Sequence, residues 1–308
     1  MFGTPAAAAS IWKRQLANKC FVIKVTNHCS QRCEHCSQSS SPGRKDLVNL
    51  DDIKKCLEPY QNLDWEVTLQ GGEPLERPEK CKEIMDWLRP RGFQTIIVSS
   101  GFWGKDPKMI DFMINELAPN ELQISWNKWT QKAVPFETTL PIIEALEHCK
   151  HINLWGGCAW GSKEILTGDN WGLQHFLKDA PYMNAVPKGL QDAFQCLPLQ
   201  ASGRGYKLWD EVPRKKVVNE LMTCDTGGVC LEPNGDLRVN NLCTRCMVGN
   251  IHDKDFVNIA TTVRRRIHKP KIRVTGTIGH ISEICTKYGI NCNTTDWSEK
   301  EHNIILEN

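Results

Sequence analysis

Cys29, Cys33 and Cys36 lie in the stretch NHCSQRCEHCSQ, with three and then two residues between them. Three thiols this close on one segment point to metal chemistry. Structural zinc takes four ligands, usually from two paired knuckles. The nearest other pair with two intervening residues, Cys243 and Cys246, lies over two hundred positions away, far beyond the spacing of a zinc ribbon. Three thiolates suit a cubane iron–sulfur cluster in which one iron lacks a protein ligand. An iron left open in this way can bind and reduce another molecule.

Other polar residues stand at comparable places. In QGGEP (70–74), Gly71 and Gly72 let the backbone approach a ligand closely, and Glu73 offers a carboxylate beside a cationic amine. Ser99 and Ser100 follow an apolar run, and ISWNKW (124–129) contributes Ser125 and Asn127. Strand and helix patterns that would hold these residues alternate from residue 20 to about 200. Strands are expected at 21–26, 65–70, 94–100, 121–127, 151–157 and near 194–200. Helices are expected at LDDIKKCLEPY, RPEKCKEIMDWLRPRG, DPKMIDFMINELAPN and LPIIEALEHCK, with a further one within 170–182. About six such repeats predict an α/β fold, a parallel sheet with helices packed outside it, closed only as a partial (β/α)6 barrel of the TIM type. Every polar motif then falls at the C-terminal end of a strand, on one rim.

The chain has 308 residues, 15 cysteines and a net charge of +2. Length allows a large domain and a smaller one, and the near-neutral charge does not point to a polyanionic partner. No apolar run is long enough for a membrane span. Residues 1–18 read as a ragged end, not a signal peptide, so a cytoplasmic location is the expectation. There, thiolates hold metal more readily than they form disulfides. Cys56, Cys81 and Cys149 sit in helical patterns and read as core residues. The five tryptophans Trp103, Trp126, Trp129, Trp155 and Trp160 gather near the rim, where packing explains most of them. The basic run VRRRIHKPKIR (263–273) reads as a solvated face.

The triplet, with QGGEP after the second strand, resembles the radical S-adenosylmethionine (radical SAM) superfamily. The resemblance covers about residues 19–205. It implies that Cys29, Cys33 and Cys36 hold a [4Fe–4S] cluster whose fourth iron is chelated by SAM. Reduction from a donor such as flavodoxin or ferredoxin would then yield a 5′-deoxyadenosyl radical that abstracts a substrate hydrogen. Gly71, Gly72 and Glu73 correspond to the segment that holds the SAM amino group. Ser100, Ser125 and Asn127 correspond to ribose or carboxylate contacts. His35 replaces the usual aromatic residue before the last cysteine and is flat enough to pack on adenine.

After ASGRGYKLWDEVPRKK (201–216) the character changes, and residues 206–308 are expected to form a small hairpin-plus-helix domain. CLEPNGDLRV carries an Asn234-Gly235 hairpin turn. Cys224, Cys230, Cys243 and Cys246 surround it, followed by Cys285 and Cys292. Their order resembles the SPASM and twitch extensions, which implies one auxiliary [4Fe–4S] cluster. One reading takes the first four as ligands; the other takes Cys224, Cys230, Cys285 and one of Cys243 or Cys246. A zinc knuckle on the same residues is the rival. A spare Cys246 or Cys243 would suit a hydrogen-atom donor, by a looser resemblance to radical SAM peptide epimerases. The expected substrate is a ribosomal peptide, modified by epimerisation or side-chain cross-linking. The alternatives are a dehydrogenase or isomerase of a small molecule such as a sugar, cyclitol or nucleoside, and a zinc or Fe–S protein that binds nucleic acid.

Overall fold

The structure, a computed structural model, describes residues 19–127, 129–160, 194–198, 222–223, 229–238, 247–254, 256 and 273–274. For 157–160, 194–198, 222–223, 247–248 and 273–274 it describes the backbone. Six strands run parallel in chain order: β1 (Cys20–Thr26), β2 (Glu66–Gly71), β3 (Gln94–Ser99), β4 (Glu121–Ser125), β5 (Asn153–Trp160) and β6 (Phe194–Pro198). Between them come α1 (Leu50–Leu57), α2 (Pro78–Leu88), α3 (Pro107–Asp111) and α4 (Phe136–Glu147). Alternate strand residues Phe21, Ile23, Val67, Leu69, Ile97, Leu122, Ile124 and Leu154 share one buried core with Ile53 and Leu57 of α1, Ile84 of α2 and Ile142 of α4. That face of the sheet is covered by helices. The intervening residues face the other way, onto the inner face of the sheet.

Local chemistry sets the helix ends. Asn49 caps α1 by accepting from the Asp51 N–H, and Asp106 caps α3 by accepting from the Lys108 N–H. Pro78 opens α2, and Gly92 closes the turn after it at φ +72°. Two details differ from expectation. Beyond α3 the chain widens into a π-helical segment over Phe112–Leu117, which ends at Ala118 with φ +39°. And α4 begins at Phe136, ahead of the expected Leu140, so Pro141 lies inside it. Phe136 is buried against Trp126, with ring centroids 4.6 Å apart, and this packing draws the earlier residues into the helix.

The hairpin expected around Asn234-Gly235 is formed by β8 (Val229–Leu231) and β9 (Asp236–Arg238), and β10 (Met247–Asn250) pairs antiparallel with β9. β8 pairs parallel with β1, so these strands extend the same sheet to nine among the described residues. A separate two-stranded pair joins β7 (Met222–Thr223) to β11 (Arg273–Val274). The expected helix within 170–182 and most of the 263–273 run lie outside the described residues. Among the described residues no helix is long and apolar enough to cross a membrane.

Candidate functional site

The cysteine triplet sits on the loop from Asn27 to Asn49, directly after β1. This loop has two residues, Arg32 and Ser39, in the left-handed region, and it is pinned at both ends. Asp46 accepts from the Asn27 backbone N–H at 2.9 Å and from its Nδ2 at 2.7 Å. The Ser41 N–H donates to Asn27 O at 3.2 Å, and the Cys29 N–H to Ser41 O at 3.3 Å. Cys36 N–H donates to Cys33 O at 3.2 Å, folding the last two cysteines into one turn. All three cysteines are half-buried. The Cys29 thiol donates to Gln31 Oε1 at 2.8 Å. Burial pushes that thiol up to about 12, and the charges of Glu73 and Glu76 add to the shift against a backbone hydrogen bond from Gln31.

Among the described residues no three His, Cys, Asp or Glu side chains gather tightly enough to grip a single ion. A cubane cluster gives each thiolate its own iron, and so spreads its ligands more widely than one ion does. Three half-buried thiols on one short loop are a donor set that fits such a cluster with one iron left for another ligand.

The segment after β2 meets this loop backbone to backbone. The Gly72 N–H donates to Thr26 O at 2.7 Å, and the Glu73 N–H to His28 O at 2.8 Å. A Cβ on Gly72 would stand 1.9 Å from His28 O; one on Gly71, which has φ +135°, would stand 2.3 Å from Thr26 O. The close approach these glycines permit is thus to the cysteine loop itself.

Glu73 is buried. Its Oε1 accepts from Ser99 Oγ at 2.9 Å and the Leu75 N–H at 3.2 Å; its Oε2 accepts from the Ser100 N–H at 2.8 Å and Ser100 Oγ at 2.6 Å. Burial pushes its carboxyl above the usual carboxylate range, against the pull of those donors. Ser99 also accepts from Trp103 Nε1 at 2.9 Å. Glu73 and Ser100 therefore tie the end of β2 to the end of β3.

Ser125 ends β4 half-buried. Asn127, two residues on, is buried and closes a turn. Its Oδ1 accepts from the Trp129 N–H at 3.1 Å, the Thr130 N–H at 2.9 Å and Thr130 Oγ1 at 3.2 Å. Its Nδ2 lies 3.3 Å from His35 Nε2, and the His35 ring stacks on Trp129 with centroids 5.3 Å apart. Cysteine loop and β4 end are joined through these contacts.

Glu76 is the residue that sequence reasoning passed over. Its Oε1 accepts from the Ser30 N–H at 3.1 Å, from Gln31 Nε2 at 3.3 Å and from Ser30 Oγ; its Oε2 lies 2.9 Å from His28 Nε2. Through Gln31 it reaches the Cys29 thiol. A cavity of about 680 Å³ opens beside it, lined by the apolar Leu75, Phe102 and Met109 and the basic Arg77 and Lys105 among others.

Of the second cysteine group, only Cys230 is described. It is fully buried on β8 beside Cys20 and Val22, and burial pushes its thiol up to about 12. Cys224, Cys243, Cys246, Cys285 and Cys292 lie outside the described residues, as does the side chain of Trp160. Trp103, Trp126, Trp129 and Trp155 are buried, as are Cys56 and Cys81. Cys149 packs against the edge of the core and is only half-buried: α4 ends at Glu147, which leaves it on the following turn with its thiol 3.4 Å from His151 Nδ1.

Residues 23–169 match the model of the radical SAM superfamily. Over 138 residues the chain is 28% identical to the putative peptide biosynthesis protein YydG of Bacillus subtilis (strain 168), a match covering 43% of this chain and 42% of that protein. The chain thus spans less than half the length of this curated relative. Native anSMEcpe, solved with bound AdoMet, superposes with a TM-score of 0.51 at 13% identity, over 79% of this chain and 80% of that one. SuiB of Streptococcus suis gives 0.43 at 13% identity, over 82% and 68%. The α/β fold, with its parallel sheet, is the TIM-barrel-like one of radical SAM structures, and residues 23–169 are similar to the domain of that superfamily.

Proposed function

We propose that this chain cleaves S-adenosylmethionine reductively and modifies a peptide. The observation that carries the reading is the clasp at the strand ends of a radical SAM domain: the Cys29–Cys36 loop bonded backbone to backbone to the Gly71–Glu73 segment. Cys29, Cys33 and Cys36 would hold the [4Fe–4S] cluster, leaving one iron for SAM. When bound and reduced, for example by flavodoxin or ferredoxin, that cluster supplies the electron that breaks the sulfonium and yields the 5′-deoxyadenosyl radical. The protein's part is positioning. Glu73 has both oxygens committed to Ser99, Ser100 and Leu75, so what this segment offers the SAM amino group is the backbone around Gly71 and Gly72. Ser125 stands at the end of β4 for the ribose or carboxylate, while Asn127, committed to its own turn, would serve by holding His35, which lies flat on Trp129.

The likeness to YydG, a putative peptide biosynthesis protein, supports a peptide as substrate. Epimerisation or cross-linking is the reaction class, with Cys243 or Cys246 as the hydrogen donor in the first case. One auxiliary cluster on four of Cys224, Cys230, Cys243, Cys246 and Cys285 completes the reading, in a second domain over 206–308.

The test is anaerobic. The protein is reconstituted with iron and sulfide, then given dithionite and SAM. 5′-Deoxyadenosine should form in the wild type and not in a variant with Cys29, Cys33 and Cys36 all changed to Ala. That variant should retain about four irons from the auxiliary cluster. Bound zinc with no SAM cleavage would sink the reading.

A further inference from the structure

Strand register places one row of residues across the inner face, just below the strand ends that carry the clasp. Lys24 pairs with Gln70, Val98 with Gln123, and Gln123 with Trp155. The step between Gln70 and Val98 follows from the pairing of their neighbours Leu69 and Ile97. Those neighbours, with Ile23, Leu122 and Leu154, belong to the helix-covered core. The row therefore points to the opposite side.

The charges on this face are already committed. Lys24 Nζ donates to Glu232 Oε1, which also accepts from Arg238 Nε at 2.9 Å. Arg238 is half-buried and has a further partner. Glu66 and Glu121 are the first residues of β2 and β4, at the strand ends away from the clasp. Both are engaged, Glu66 with the Cys20 thiol. From β2 to β5 the row itself, Gln70, Val98, Gln123 and Trp155, holds no charged side chain. It selects an occupant of neither sign.

What the row does hold is unused hydrogen-bonding capacity. Gln70 and Gln123 are half-buried, and neither side chain makes a hydrogen bond among the described residues. Trp155 is only 7% exposed, and its Nε1 is buried with no acceptor among the described residues. Buried polar groups are nearly always bonded, and an orphaned indole N–H forfeits hydration with no return. The indole can only donate, so its partner must be an acceptor; each carboxamide both donates and accepts. An extended peptide meets both demands. A residue in extended backbone turns its own N–H and C=O to the same side, as it does toward a neighbouring strand, and one carboxamide can pair with both. From Gln70 to Trp155 the row crosses three inter-strand steps, about 14 Å, which is the length of about four extended residues.

We infer that Gln70, Gln123 and Trp155 form a site for the main chain of an extended stretch of the substrate peptide. The carboxamides pair with backbone N–H and C=O groups, and the indole donates to a carbonyl. The site reads the peptide backbone and not side-chain charge. This rests on the reading above, that a peptide enters this domain. The site is distinct from the strand-end clasp, because it lies deeper along the strands than Gly71, Ser100 and Ser125.

The experiment is anaerobic calorimetry on the cluster-loaded full chain with SAM present. Three neutral probes are titrated: N-acetyl-tetraalanine N-methylamide, the same chain with its internal amides replaced by esters, and myo-inositol. The ester chain keeps the carbonyls and loses the N–H donors. The amide chain should bind about tenfold more tightly than the ester chain, the scale of a net hydrogen bond or two, and more tightly than inositol. Gln70→Leu and Gln123→Leu should each shrink the amide-over-ester preference several-fold. Trp155→Phe should weaken both chains several-fold, because both present carbonyls. If one variant fails to fold, the other two decide. Equal binding of amide and ester chains would overturn the inference, as would no binding of the amide chain, tighter binding of inositol, or a preference that both glutamine variants leave intact. Equal loss of SAM affinity in Trp155→Phe would assign the indole to the cofactor and also overturn it. 5′-Deoxyadenosine measured in the same samples separates the two ideas. Its formation without an amide preference removes the site and keeps the enzyme; a preference without its formation does the reverse.

Discussion

The loops after β1 and β2 meet at the same rim and are built in opposite ways. The first is long, polar and half-exposed, and its shape depends on Asp46 near its own far end and on Glu76 outside it. The second is short and buried, and its shape follows from two glycines and one carboxylate. Glu73 and Glu76 stand three positions apart within it and turn in opposite directions. Glu73 reaches β3 through Ser99 and Ser100; Glu76 reaches the cysteine loop through His28, Ser30 and Gln31. The short loop is thus the anchor, and the cysteine-bearing loop hangs from it. If so, damage to the anchor should unfold the rim, while damage to the link should loosen only the metal-binding loop.

The largest effect is expected from Gly72→Ala. The added Cβ would meet His28 O at 1.9 Å and His28 C at 2.6 Å, and both are backbone atoms that cannot swing aside. The two loops must part, breaking the bonds from Gly72 N–H to Thr26 O and from Glu73 N–H to His28 O. Urea unfolding should show a loss of about 4 kcal/mol, together with failure to take up iron. A stable variant would mean that the loops are not clasped as described.

Glu73→Ala comes next. It leaves the Ser100 N–H, the Leu75 N–H and two hydroxyls without their acceptor, at a cost of about 2–3 kcal/mol. It also carries a pH signature. Because burial raises the Glu73 pKa in the folded state, the native protein holds that proton more tightly than the unfolded chain does. The contribution of Glu73 must then fall as pH rises through the ordinary carboxylate range. The wild-type-minus-variant stability difference, followed by denaturant titration from acid upward, should decline. A rising difference would mean that the four donors outweigh burial.

How much of this was readable beforehand depends on how local each cause is. The strands were legible from apolar runs, and the triplet from its spacing, because both are written within a few adjacent residues. QGGEP stands out in the sequence as a candidate, with glycines that suggest room for a ligand. What they admit at close range is the backbone of Thr26 and His28, over forty positions earlier. Glu76 carries no local mark at all, since its partners lie at positions 28–31. Cys149 shows the opposite failure. The helical pattern around it was real, but the helix stops two residues short of it.

The smallest expected effect is the most discriminating. Glu76→Ala removes acceptors from Ser30, Gln31 and His28 while leaving Glu73 and both glycines in place. Global stability should drop by only about 1 kcal/mol. Iron retention is another matter, because groups that orient metal ligands without touching the metal set affinity by roughly tenfold or more. Reconstituted Glu76→Ala should lose iron to a chelator roughly tenfold faster than wild type on that scale, with its unfolding midpoint barely moved. Glu76→Gln keeps one oxygen where Ser30 and Gln31 donate, so it should restore most of the retention. Equal iron loss in wild type and Glu76→Ala would show that the cysteine loop holds its shape without the link. Equal loss of stability in Glu76→Ala and Glu73→Ala would show that anchor and link are one unit.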